Sequence, residues 1–181
     1  MDDTGDLFNT GKNQLRYSDL LSKVQNFLSE RYSSLLSEKN KARKKEMEQS
    51  YIRQYIREHE YSVSGCTTKE LVAALYNDMA EYSFLTPYLN GENTDWEEIN
   101  INRWDDVKIT YCNGSVERSK EQFLSPSHAT DVMKRLLQQS NITFDEAKPC
   151  VRGHLNNKIR ITINGPGVID DDVGIQASIR Y

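Results

Sequence analysis

The sequence predicts an α+β fold: an N-terminal helical region followed by an antiparallel sheet with a packed helix. Three observations predict it. Apolar residues recur at steps of three and four from Tyr17 onward. After Asp95 the period drops to two, with Ile99 and Ile101 alternating with Asn100 and Asn102. Ser125-Pro126 then reopens a helical stretch, with Ser as cap and Pro at the first helical position.

Taken in order, residues 1–15 mix Gly, Asp, Asn and Thr and read as a flexible leader. Residues 16–83 form the helical region. Its first stripe is Leu20, Leu21, Val24, Phe27, Leu28, Tyr32, Leu35 and Leu36, and its second is Met47, Tyr51, Ile52, Tyr55 and Ile56, ending near His59. Thr67, with Glu70 three residues later, has the spacing of a capping box for a third helix. That helix carries Leu71, Val72, Leu75, Met79 and Tyr82 on one face. Residues 84–181 are the α+β part. They open with FLTPYL, which reads as an apolar connector broken by Pro87. Val107, Ile109 and Tyr111 alternate as a strand, and Asn113-Gly114 signals a type I′ hairpin leading to Val116. The helix from Pro126 to about Ser140 presents Ala129, Val132, Met133, Leu136 and Leu137. Extended segments over 150–155, 158–163 and 174–180 follow, with turns at Gly165-Pro166-Gly167 and at Asp170, Asp171 and Asp172. The last residues, ASIRY, are still in strand grammar, and we expect the sequence to be the N-terminal part of something longer.

Composition narrows the function. The 181 residues carry 23 Lys+Arg against 27 Asp+Glu, a net charge of −4 with a pI near 5.5. A mildly acidic chain lacks the basic footprint of a general duplex binder, so no nucleic acid is expected. Hydrophobic residues make up 37%, and 10 Tyr, 5 Phe and 2 Trp argue against wholesale disorder. No run approaches the roughly 18–20 apolar residues that cross a bilayer, and Met1-Asp2-Asp3 does not open a secretory signal. The expectation is a cytoplasmic protein. Three scattered Cys, with no CxxC pair, support neither a disulfide framework nor a zinc knuckle.

Few residues look chemical. Gly5…Gly11-Lys12-Asn13 approaches a phosphate-binding loop, but its spacing is five rather than four and Asn replaces the magnesium-binding hydroxyl. His59, His128 and His154 are far apart, and Cys150 with His154 is two ligands, which do not make a metal site. The run Lys39, Lys41, Arg43, Lys44, Lys45 has nucleic acid, an anionic membrane face or a solvated helix end as readings, and the following Glu46 and Glu48 favour the last. No catalytic nucleophile or metal site is assigned. Arg152, Arg160 and Arg180 lie in three successive extended segments. Such arginines either point to solvent or are aimed at an anion, whose phosphate oxygens suit the guanidinium fork.

The order EININRWDDVKITYCNGSVERS, FLSPSHATDVMKRLLQQSNITFDEAKPCVRGHL, NKIRITI and VIDDDVGIQASIR resembles the PAS-like N-terminal domain of type II/type IV secretion ATPases. It is most similar to the CpaF type that serves tight-adherence pili, with conjugation-type hexameric motors as cousins. The resemblance covers about residues 70–181. FLTPYL departs from the Gly-rich connector usual in that family.

The resemblance implies an oligomerisation and nucleotide-clamping domain of a hexameric motor for secretion or pilus assembly. It implies a RecA-like ATPase domain downstream, which would supply the catalytic residues and bind ATP and Mg2+, with none bound by this segment alone. It implies Arg160 and Arg180 as the residues that contact phosphate. It also implies self-association as a hexamer and inner-membrane components as partners, with the protein peripheral at the cytoplasmic face of the membrane. The alternative function is a stand-alone intracellular interaction module, a helical adaptor with an α+β head.

Overall fold

A computed structural model describes residues 13–31, 40–155 and 158–181. Most of the leader (1–12), the glycines of the loop-like stretch at its end, and Tyr32, Leu35, Leu36 and Lys39 lie outside the described residues. The chain divides into two units, Met1–Ala80 and Glu81–Tyr181. Among the described residues no helix is long and apolar enough to cross a membrane.

Three helices make the first unit: α1 (Tyr17–Arg31), α2 (Lys41–Glu58) and α3 (Thr68–Ala80). Their stripes meet, burying Leu20, Leu21 and Val24 of α1, Ile52 and Ile56 of α2, and Leu71, Val72, Leu75 and Tyr76 of α3. The ends are set locally. Asn40 caps α2 by accepting from the Arg43 N–H at 3.1 Å. Thr67 and Glu70 form the capping box: Thr67 Oγ1 accepts from the Glu70 N–H, and Glu70 Oε2 accepts from the Thr67 N–H at 2.9 Å. The end of the leader is fixed by pairing. Strand β1 (Asn13–Gln14) runs parallel to β2 (Tyr61–Ser62), and the Leu15 N–H donates to the Ser62 carbonyl at 2.9 Å. Period gave no hint of this, because two residues carry no alternation. The Tyr17 hydroxyl donates to Asp78 Oδ2 at 2.6 Å, tying the start of α1 to the end of α3. Burial pushes the Tyr17 phenol above its usual range, and the Asp78 carboxylate adds to the shift.

The second unit opens with a 3-10 turn over Ser83–Leu85 and the single-turn helix α4 (Thr86–Leu89). This corrects the reading of FLTPYL as a Pro-broken connector. Pro87 stands in the first turn of α4, where no intrahelical partner for its missing N–H exists, so it starts the helix rather than breaking it. Then come β3 (Trp96–Arg103), β4 (Asp106–Tyr111), β5 (Val116–Arg118), α5 (Pro126–Gln138), β6 (Cys150–His154), β7 (Arg160–Asn164) and β8 (Gln176–Arg180). The six strands form one sheet in the order β5-β4-β3-β8-β7-β6, every neighbour antiparallel. The fold is thus α+β, with five α-helices among the described residues.

One face of the sheet is apolar. Ile99, Ile101, Val107, Ile109, Ile161, Ile163, Ala177 and Ile179 are buried with Ala129, Val132, Met133, Leu136 and Leu137 of α5. Ser125 caps α5 by accepting from the His128 N–H at 3.0 Å, with Pro126 next.

The β4–β5 hairpin differs from the type I′ expectation. The Gly114 N–H donates to the Tyr111 carbonyl, the Tyr111 N–H donates to Ser115, and of Asn113 and Gly114 only the glycine has positive φ, at 82°. This is a three-residue loop, a type I turn closed by a left-handed glycine, which also matches the strand twist. Gly174 is more constrained. Its φ is 80°, and a Cβ there would lie 2.7 Å from both Cα and O of Pro126.

Three substitutions test these local constraints. Gly114→Ala is expected to cost about 1–2 kcal/mol, from left-handed strain alone. Gly174→Ala adds a collision with helix backbone and is expected to cost about 3 kcal/mol or more. Urea denaturation of both variants checks the order, and equal losses would show that the entry to β8 gives way freely. Tyr17→Phe should cost the first unit about 1–3 kcal/mol through the lost charge-assisted hydrogen bond, read as a lower urea midpoint at unchanged slope.

Candidate functional site: the open face of the sheet

Because side chains alternate along a strand, burying the isoleucines sends their neighbours to the other face. The register gives that face two rows. His154, Arg160, Arg180, Glu98, Thr110 and Val116 stand opposite one another in turn across the six strands. Beside them runs Arg152, Thr162, Ser178, Asn100, Lys108 and Arg118. Arg152, His154, Arg160, Arg180, Lys108 and Arg118 are exposed.

Arg160 and Arg180, the two residues singled out in the sequence, are thus direct cross-strand partners. Side chains so placed have Cβ atoms about 4.5–5.5 Å apart, and like charges in that position repel. Arg152 stands diagonally from Arg160, and His154 directly opposite it. Four groups able to carry positive charge therefore gather on three adjacent strands.

The negative charge beside them belongs to Glu98. Its Oε2 accepts from Arg180 Nη2 at 3.1 Å, and its Oε1 accepts from Ser178 Oγ at 2.7 Å. The Ser178 hydrogen bond, together with the Arg180 hydrogen bond and charge, holds the Glu98 carboxyl below the usual carboxylate range. The Glu98 side chain is 21% exposed and that of Arg180 is 63% exposed. Reading the sequence missed Glu98. Its outward direction was legible from Ile99 and Ile101, but its partner lies 82 residues away.

The other sequence candidates do not join this row as a site. Cys150 and His154 share the open face of β6, both exposed, and no group of three metal-ligating residues forms among the described residues. Asp172 meets Arg103, whose Nη1 lies 3.4 Å from Asp172 Oδ2. His128 Nδ1 accepts from the Leu124 N–H at 3.1 Å and so steadies the approach to α5. In the basic run, Lys45 lies 5.4 Å from the centroid of the Tyr76 ring, and Lys44 lies 4.0 Å from Glu48. Two grooves of the second unit, of about 580 and 380 Å³, share Lys134 of α5 and are lined by neither arginine. In the first unit a groove of about 320 Å³ runs along Phe27, Tyr55 and His59, with Lys23, Glu30 and Glu58 of mixed charge around it.

Stability and function should separate on this face. Arg160→Ala is expected to leave unfolding within about 0.5 kcal/mol of wild type. Arg180→Ala should lose about 0.2–1 kcal/mol with its solvent-screened ion pair. A large loss at Arg160 in urea denaturation would mean that its side chain packs rather than points outward.

No protein-family model matches the chain, and no curated protein matches it. Among solved structures, it is similar to the VirB11 ATPase of the Brucella suis type IV secretion system, crystallised in complex with sulphate. The identity is 18% and the TM-score 0.45, and the match covers 54% of this chain. It spans 30% of the VirB11 chain, less than a third of that protein's length.

Proposed function

We propose that the second unit is the nucleotide-clamping and oligomerisation domain of a hexameric secretion or pilus-assembly ATPase of the CpaF type, acting with a RecA-like domain. In this reading Arg160 and Arg180 reach the phosphates of ATP held by that other domain. The observation that carries it is the register that sets Arg160 opposite Arg180 on an exposed face. A sheet gains nothing from two facing guanidiniums unless an anion lies over them.

The donor set fits phosphate oxygens. Guanidiniums only donate, remain charged at every physiological pH, and offer a planar fork to paired oxygens. The oxygen ligands for Mg2+ and the backbone cradle for the β- and γ-phosphates would come from the ATPase domain. The two arginines would supply positive charge where it develops on the γ-phosphate oxygens during transfer. Their rigid base is the sheet, since β7 and β8 are interior strands bonded on both sides. Assembly as a ring and association with inner-membrane components at the cytoplasmic face belong to the same proposal, as does the absence of a nucleic-acid ligand.

The test has two parts. The coding sequence read past Tyr181 should contain GxxxxGK[ST]. In the resulting ATPase, Arg160→Ala or Arg180→Ala should lower turnover by about tenfold or more, with the loss in kcat rather than KM. Arg→Lys at either position keeps the charge and loses the fork, so it should recover only part of the activity. Wild-type turnover by all four variants would remove the arginines from the reaction. The lack of any such motif would favour the stand-alone interaction module.

A further inference from the structure

We propose that Glu98 competes with the phosphate-class anion for Arg180, and so sets how tightly the cationic face binds it. This inference rests on the phosphate reading of the same face.

The geometry resembles an anion contact already made internally. A carboxylate takes a hydroxyl from Ser178 and one guanidinium nitrogen from Arg180, the kinds of donor a phosphate oxygen would take. The hold on Arg180 is one-pronged, through Nη2 at 3.1 Å, where a purely structural Arg–carboxylate pair commonly uses both edges of the fork. Among the described residues the other Arg180 donors, Nε and Nη1, meet no hydrogen-bond partner. The two partners also differ in freedom. Glu98 is also held by Ser178 and is mostly covered, whereas the Arg180 side chain is largely exposed. The guanidinium is therefore the partner that can turn.

An anion seated over Arg160 and Arg180 would lie one strand from the Glu98 charge. At that distance, near a wet surface, like-charge repulsion amounts to about a three- to tenfold loss of affinity. Glu98 also supports the fold, because it joins β3 to β8. Removing its charge should thus weaken the unit and tighten anion binding together. A merely structural carboxylate would give weaker or unchanged binding.

The experiment is a titration of the 181-residue chain with inorganic tripolyphosphate at low salt, followed by calorimetry and by the arginine Nε–H NMR signals. Wild type is compared with Glu98→Gln, Glu98→Ala and the double variant Arg160→Ala/Arg180→Ala. The alanine at 98 guards against a glutamine amide that itself donates to the anion. The expected result is that the double variant loses binding, while both Glu98 variants bind about three- to tenfold tighter with lower urea midpoints. Loss of binding in the double variant without tightening in the Glu98 variants overturns the role of Glu98 and leaves the phosphate reading standing. Unchanged binding by the double variant removes these arginines from the site, and absence of binding by wild type and both Glu98 variants overturns both readings.

Discussion

The two-residue period of β3, β8 and β7 governs what the second unit can present. Ile99, Ile101, Ile161, Ile163 and Ile179 face α5, and burying each such side chain is worth about 1.5–3 kcal/mol. A slip of one residue would expose every isoleucine on a strand and bury its polar neighbours instead. The core therefore dictates the register, and the register dictates the open face. Arg160 and Arg180 meet because Ile161 and Ile179 meet on the other side. The repulsion between the two guanidiniums is small against the burial that holds their strands together.

That arrangement explains how an unfavourable pair can persist. Surface charge pairs contribute fractions of a kcal/mol in either direction, so the sheet tolerates the arginines without requiring them. Glu98 reduces the strain on one side only, since it reaches Arg180 across the β3–β8 edge. Interior strands also make the side chains well aimed, because β7 and β8 are each bonded along both edges. The same polar groups on an edge strand would move with it.

The first unit is ordered on different terms. Its helix ends are fixed by short-range bonds, those of Asn40 and of Thr67 with Glu70. Its helices are then held by one shared apolar stripe and by the Tyr17–Asp78 hydrogen bond. Helices of this length are marginal alone in water, so the stripe carries most of the stability.

Much of this was legible in the residues. Helical period, capping box, Ser-Pro helix start and strand alternation all act within a few residues, and among the described residues they lie close to where the sequence put them, except that Tyr82, expected on the face of the third helix, falls beyond the end of α3 and packs in the core of the second unit. The direction of Glu98 and of both arginines was legible too, whereas Trp96 is buried like Ile99 because an irregularity between Trp96 and Glu98 breaks the alternation of β3. Three other features were not. The hairpin took a type I turn with a left-handed Gly114 because the loop closed over three residues, a length that a dipeptide signal does not specify. Pro87 began a helix turn instead of ending an apolar run, since its place in the turn depends on where the Tyr82 and Ser83 backbone finds its partners in Thr86. The pairing of Asn13 with Tyr61, and above all the row Arg160–Arg180–Glu98, joins residues far apart in the chain. Local pattern fixes which way a side chain points. Strand order and register fix what it points beside, and those come from packing six strands onto one helix rather than from any neighbouring residue.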